Sequence, residues 1–327
     1  MREPYFWSVT EKRSRASAPM TKLLLSPLAM AYRIAGERRI RGATPEDVGL
    51  PVVCIGNLTL GGAGKTPVTE AVRTHYAGRG LRAASLSRGY RGSLEGVHRV
   101  DPARHTFREV GDEPLMLSAS GESWVSKDRP AGARAMKSDG LQLIVMDDGH
   151  QNPTLRKSLS IVVVDAGNPF GNGHVFPKGP LREPVAAGLS RADAVVLMGD
   201  GRAPEAFAGF PGPILRARLA ATSTLPPGRY VAFAGIGRPS RFFDALGKQP
   251  GVEVAEGAPY PDHHAFTPYD ISFLMKLAAD HDARLVTTDK DHVRLPADLK
   301  DKVVRASVKA TFQDEEALAR LLDSVVR

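Results

Sequence analysis

A short apolar run at Val52–Ile55 breaks into Gly56-Asn57-Leu58-Thr59-Leu60-Gly61-Gly62-Ala63-Gly64-Lys65-Thr66-Pro67. A strand that empties into a glycine-rich turn closed by Gly-Lys-Thr is suited to one task. Its glycines let backbone N–H groups converge on phosphate oxygens. Lys65 then reaches toward the β- and γ-phosphates, and the Thr66 hydroxyl toward Mg²⁺. The expected nucleotide contacts are therefore Thr59, Leu60, Gly61, Gly62, Ala63, Gly64, Lys65 and Thr66. Pro67 falls in the first turn of the following helix, where its missing N–H costs nothing, and that helix directs the positive end of its dipole at the anion. One departure is plain: Thr59 stands where such a loop usually has its first glycine.

The rest of the chain has to build a fold around that loop. Near-continuous apolar runs recur at Pro51–Ile55, Ala83–Ser87, Leu143–Asp147, Ser160–Asp165 and Ala194–Met198. Runs without alternation suit parallel strands buried on both faces. The fold class expected is α/β, a P-loop NTPase-like, doubly wound and mostly parallel sheet. Glycines and prolines crowd residues 199–228 around a strand-like Ile214–Leu219, which marks a linker that could be two-stranded. A second α/β pattern follows, with strands at Tyr230–Ala234 and Leu285–Thr288 and helices near Arg241–Leu246, Thr267–His281 and Asp314–Val326. The expected division is an arm at 1–45, a P-loop core at 46–212, a hinge linker at 213–228 and a smaller C-terminal α/β domain at 229–327.

Chemistry-bearing residues gather at strand ends and turns. Leu143–Asp147 ends in Asp147-Asp148-Gly149-His150-Gln151. Two adjacent carboxylates repel unless a cation sits there, so next to a phosphate loop they read as Mg²⁺ ligands. Ser87-Arg88-Gly89-Tyr90, Gly111-Asp112-Glu113-Pro114 and Gly179-Pro180-Leu181-Arg182-Glu183 are charged turns; in the second of them, an N-cap is the plain reading of Asp112. Asp262-His263-His264 is the densest cluster of the second domain. Neighbouring histidines on an extended segment point opposite ways, so one at most faces a given site. Thr288-Asp289-Lys290-Asp291 ends another strand.

Charge singles out the N-terminus. Formal charge is +8 over 327 residues, a balance that would ordinarily suggest nucleic acid. Residues 1–45, however, carry nine Lys/Arg against three Glu, a balance of +6. The body is close to neutral, so no nucleic-acid partner is expected, and no obligate protein partner is evident. Between Lys22 and Arg33 an uncharged apolar stretch with Leu23, Leu24 and Leu28 has helical spacing but falls short of the roughly 20 residues a span requires. It fits a helix lying in a membrane interface, with Trp7 and the basic residues at headgroup level, better than a core helix or a signal peptide cut near Ala29-Met30-Ala31. The single cysteine, Cys54, excludes a disulfide framework and reads as core.

As a set and in this order, these motifs resemble the tetraacyldisaccharide 4'-kinase family of lipid A biosynthesis. The last of them departs slightly, with Asp289 where Glu is commoner. The resemblance implies phosphoryl transfer from ATP, with Mg²⁺, to the 4'-hydroxyl of a lipid disaccharide 1-phosphate at the cytoplasmic face of the inner membrane. It implies a catalytic pair at Asp112 and His263 and metal-site acids at Asp147, Asp148 and Glu183, beside Thr66. Arg88, Glu113, His150 and Arg182 are further candidates for substrate or phosphate contact. The competing reading is a P-loop switch or metallochaperone-type GTPase. An Asn-Lys-x-Asp segment for guanine is absent, since Lys290 is followed directly by Asp291. A metal phosphoesterase using Asp262-His263-His264 would leave the phosphate loop without a purpose.

Overall fold

The computed structural model describes residues 4–9, 15–222 and 224–326. Arg2, Glu3, Glu11, Lys12 and Arg13 of the basic arm lie outside the described residues. Among the described residues thirteen strands form two sheets. In chain order they are β1 (Val52–Gly56), β2 (Ala83–Ser87), β3 (Val97–Arg99), β4 (Ser123–Ser126), β5 (Leu143–Asp147), β6 (Leu159–Asp165), β7 (Ala194–Met198), β8 (Ile214–Ala221), β9 (Gly228–Ala234), β10 (Val252–Pro259), β11 (Arg284–Thr288), β12 (Val303–Ala306) and β13 (Val308–Phe312). The large sheet runs β13-β8-β7-β6-β1-β5-β2-β4-β3, and the small one β10-β9-β11-β12.

The large sheet is parallel except at its edges, where β3 and β13 pair antiparallel. Its central strands are buried along their whole length, as the apolar runs require, and Cys54 is fully buried in β1. On one face Val68, Val72 and Tyr76 of the P-loop helix, Lys65–Gly78, pack over Val53, Ile55, Val145 and Val163. The other face is covered by Leu86, Met136 and Met146 at one end and by Leu58, Val164 and Leu189 at the other. In the small sheet, all parallel, Val231 and Phe233 feed one core and Tyr230 and Ala232 the opposite one, the alternation of a strand covered on both sides.

The chain does not keep to the division expected from composition. Within 213–228, β8 joins the large sheet beside β7 and pairs on its other side with β13, so the linker is built from strands. Residues 229–327 do not form one unit. After β12 the chain returns, adds β13 to β8 and lays helix Glu315–Asp323 against the P-loop helix. Tyr76 donates its hydroxyl to Leu322 O at 2.9 Å, and His75 and Arg79 both reach Asp323. The small sheet is thus carried between β8 and β13, and its two connections run side by side where Thr222 N donates to Ser307 O at 2.9 Å.

The N-terminal helix spans Pro19–Arg41 and includes Pro27. Among its residues only Ala29 is buried; Met20, Leu23, Leu24, Leu28 and Met30 are exposed, so it is not a core helix. No helix among the described residues is long and apolar enough to cross a membrane. Trp7 departs from its expected place at headgroup level. It is buried, edge-on to Phe176, and donates Nε1–H to Pro177 O at 3.1 Å, which ties the start of the arm to the body.

Candidate functional site

The phosphate loop leaves β1 at Gly56, where any side chain would run into His150. The loop is then clamped by a second segment. Leu60 N donates to Pro180 O, and Arg182 donates N–H to Leu58 O and Nε–H to Thr59 O. Thr59 forms an isolated antiparallel bridge with Leu181, which explains why glycine is not needed there. Left-handed backbone falls instead at Gly61 (φ 104°) and at Gly64 (φ 85°), the residue that opens the P-loop helix. Inside the loop buried Asn57 donates to Thr59 O at 2.8 Å and accepts from Lys65 Nζ at 3.2 Å. Gln151 holds the same segment by donating to Asn57 O.

β5 sets the acid pair beside this loop, with Asp147 in register with Ile55 of β1. Asp147 is buried and accepts a hydrogen bond from Thr69 at 2.9 Å. Burial, and then the charge of Asp148, push its carboxyl up to about 6. Asp148, in left-handed backbone, accepts from Arg182 at 2.8 and 3.1 Å and lies 3.6 Å from Lys65. Burial would raise this carboxyl too, but Lys65 and Arg182 outweigh it and hold it well below the usual range. Glu183 does not join the pair as expected. It accepts two bonds from Arg191, at 2.7 and 2.6 Å, and one from Gln151 at 3.0 Å, so its charge is already matched. A hard cation fits Asp147 and the Thr66 hydroxyl: both are oxygen donors, and a metal would relieve the carboxyl that burial and Asp148 disfavour.

His150 needs a correction as well. It is buried between Ser160 Oγ, at 3.1 Å, and Gly188 O, at 2.9 Å. Burial and the nearby Lys157 and Arg191 lower its pKa to about 4. It is a neutral packing residue under the loop rather than a substrate contact. Arg88, Glu113, Arg182 and Asp148 do line the cavity of about 2470 Å³ that the phosphate loop opens into.

Asp112 and His263 meet across the two sheets. Asp112 opens the helix Asp112–Ser118, but Gly111 is its N-cap, so the plain reading of Asp112 as a cap fails. His263, in left-handed backbone at φ 60°, brings Nδ1 to 2.8 Å from Asp112 Oδ2. Tyr90 packs edge-on against the imidazole, and Arg91 donates to the His263 carbonyl at 3.1 Å. Lys290 Nζ lies 3.2 Å from His263 Nε2 and 3.0 Å from Glu113. Burial would raise the Asp112 carboxyl, but His263, Lys290 and Arg294 hold it well below its ordinary range. His264 turns away, bonded to Asp270 at 3.0 Å and stacked on Tyr260, so only one of the two histidines faces the site, although the segment is a turn and not extended. Sequence reasoning passed over Arg294, Asn57 and the Thr69–Asp147 bond. Arg294 lies just beyond a recognised motif, and nothing local marks it.

A phosphate loop on a doubly wound sheet, with an acid pair at the next strand and a carboxylate–imidazole pair over the same cavity, defines a P-loop kinase. The family model of tetraacyldisaccharide-1-P 4'-kinase, LpxK, matches residues 21–327. The tetraacyldisaccharide 4'-kinase of Hyphomonas neptunium is 56% identical over 100% of this chain and 98% of its own, and that of Maricaulis maris 48% over 100% and 97%. The chain belongs to the tetraacyldisaccharide 4'-kinase family. Its fold is also that of a crystal structure of LpxK from Aquifex aeolicus in complex with ATP, at a TM-score of 0.74 and 24% identity over 94% of this chain and 99% of that one.

Proposed function

We propose that this protein transfers the γ-phosphoryl group of ATP to the 4'-hydroxyl of a tetraacyl disaccharide 1-phosphate. The observation that carries the reading is that Asp112 and His263, from different sheets, form one pair over the cavity into which Lys65 and the phosphate loop open. In the reaction the 4'-oxygen bonds to the γ-phosphorus as the bond from that phosphorus to the bridging oxygen of ADP breaks. The hydroxyl proton passes to His263 Nε2, while Asp112 orients the ring through Nδ1 and favours its charged form. Acceptor binding displaces Lys290 from Nε2 and leaves it on Glu113. Lys65 and the loop amides stabilise charge developing on the phosphoryl oxygens. Thr66 and Asp147 would hold Mg²⁺, which supplies Lewis-acid neutralisation of the phosphates.

The acceptor stays in a bilayer, so the enzyme has to work at a membrane surface. The exposed Leu23, Leu24 and Leu28, set among basic residues on helix Pro19–Arg41, support peripheral attachment at the cytoplasmic face of the inner membrane. The test incubates the protein with ATP and Mg²⁺, with and without the lipid disaccharide. Phosphate on the lipid supports the kinase; phosphate released to water at the same rate in both arms supports the switch-type NTPase instead.

A further inference from the structure

A third side chain holds the Asp112–His263 pair in place. Arg294 follows the short helix Asp289–His292, and its side chain is 1% exposed. Nε donates to Asp112 Oδ2 at 3.0 Å, and Nη2 donates to the same oxygen. Nη1 donates to Asp291 Oδ1 at 2.9 Å and to Gly235 O at 3.0 Å. Asp291, also buried, accepts from Gly235 N and from the Thr288 hydroxyl, so the guanidinium sits in a seat that is itself fixed. The planar fork of one arginine thus bridges two buried carboxylates, one under each sheet, which an ammonium group cannot reproduce.

The consequence falls on His263. Asp112 Oδ2 accepts from Arg294 twice and from the imidazole once, while Oδ1 accepts from Glu113 N at 3.1 Å. A carboxylate held from so many sides keeps one orientation and stays ionised. The ring must then present Nδ1–H to it, which leaves Nε2 as the proton-accepting nitrogen. We propose that Arg294 is a positioning residue for phosphoryl transfer, fixing the Asp112 carboxylate and through it the orientation and tautomer of His263. This rests on the reading of Asp112 and His263 as the proton-accepting pair. The charged groups facing Asp112 are Glu113 on its own helix, His263 with Asp262 on the loop before it, and Lys290 and Arg294, with Asp291 behind the guanidinium.

The test compares R294Q and R294K with the parent full chain for kcat, KM for ATP, the pH profile of kcat and thermal melting. R294Q is expected to lose about 10- to 100-fold in kcat, with KM for ATP within about twofold, because the nucleotide contacts are elsewhere. Its acid limb moves to higher pH by about one unit or more, since the Asp112–His263 pair loses the positive charge of a guanidinium bonded twice to Asp112. R294K falls between R294Q and the parent. Adding R294Q to D112N costs little beyond D112N alone, because the two act as one unit. An acid limb that stays put in both variants overturns the proposal, as does a loss explained wholly by the fraction of unfolded protein. Should R294Q not fold, R294K carries the same readouts, and a parental kcat and acid limb in that variant overturn it equally. Full activity in D112N and H263A would instead discard the underlying pair, an outcome distinct from one in which the pair is needed and Arg294 is not.

Discussion

At the scale of single residues, the site is a set of charges each answered by a named partner. Lys65 is shared between Asn57 and Asp148, so its removal leaves only these two side chains without a partner they now have. Lys65→Ala is expected to fold normally and lose more than about 100-fold in kcat/KM, since the ammonium acts on charge that develops in transfer. Near-normal turnover in that variant would remove the loop from the mechanism. Asp112 gives the fold a pH dependence whose sign can be worked out. Its folded carboxyl lies below the unfolded value near 3.8, so its stabilisation is complete above that pH and drains away as pH falls through and below it. Urea unfolding from pH 6 to pH 3 should show the parent losing stability more steeply at the acid end than Asp112→Asn, although the variant is weaker at pH 6 by about 3–5 kcal/mol because buried Arg294 loses one of its two carboxylate partners and keeps only Asp291. Parallel curves would contradict this. The phosphate loop and the acid pair were legible because local sequence dictates their geometry. The role of Arg294 was not, because its partner Asp112 lies 182 residues away, and neither was the engagement of Glu183, because nothing in the segment says that Arg191, eight residues on, folds back onto it.

At the scale of elements, legibility tracked the continuous apolar run, not burial alone: β4 is buried throughout yet has no such run. β2, β5 and β7 have the bounds their apolar runs predict, β6 starts one residue earlier, and β1 is shifted by one residue at both ends. β4, Ser-Trp-Val-Ser, and β10, with Glu253 and Glu256, lack such a run and were missed. The C-terminal helix was foreseen, but not its partner, because no local signal says which sheet a helix will cover. Leu322 is fully buried with Val68, Val72 and Tyr76, so Leu322→Ala should cost about 2–5 kcal/mol and lower the melting of the nucleotide-binding sheet itself. If only the small sheet melted earlier, the packing described would be wrong. The N-terminal helix poses the opposite case. Leu24 and Leu28 are 74% and 60% exposed, so replacing both by Glu should leave the melting temperature nearly unchanged while cutting sedimentation with anionic vesicles by about tenfold or more. Unaltered sedimentation would show that the exposed stripe serves another purpose.

At the scale of the whole molecule, the two sheets are joined by their side-by-side strands and by ion pairs across the cavity. Asp165, at the end of β6, accepts from Arg238 and from Arg241, at 3.0 and 3.2 Å, and Gly237 sits against Gly62 of the phosphate loop. Asp165→Asn should free the small sheet to move, seen as proteolysis of the 222–227 connection that is several-fold faster with little change in melting temperature, because partly exposed pairs contribute little to global stability. Equal cleavage rates would show that these pairs do not restrain the units. The return of the chain to β13 also bears on how the protein is made. While a ribosome is still extending it, β8 has β7 on one side and open hydrogen-bonding groups on the other, and the P-loop helix has no cover for Tyr76. The 86 residues from 222 to 307, a whole sheet with its helices, must emerge before residues 308–323 can close that edge. The nascent chain therefore carries an unprotected strand and an apolar helix face through most of its later synthesis, the kind of surface on which chaperones act and misassembly begins.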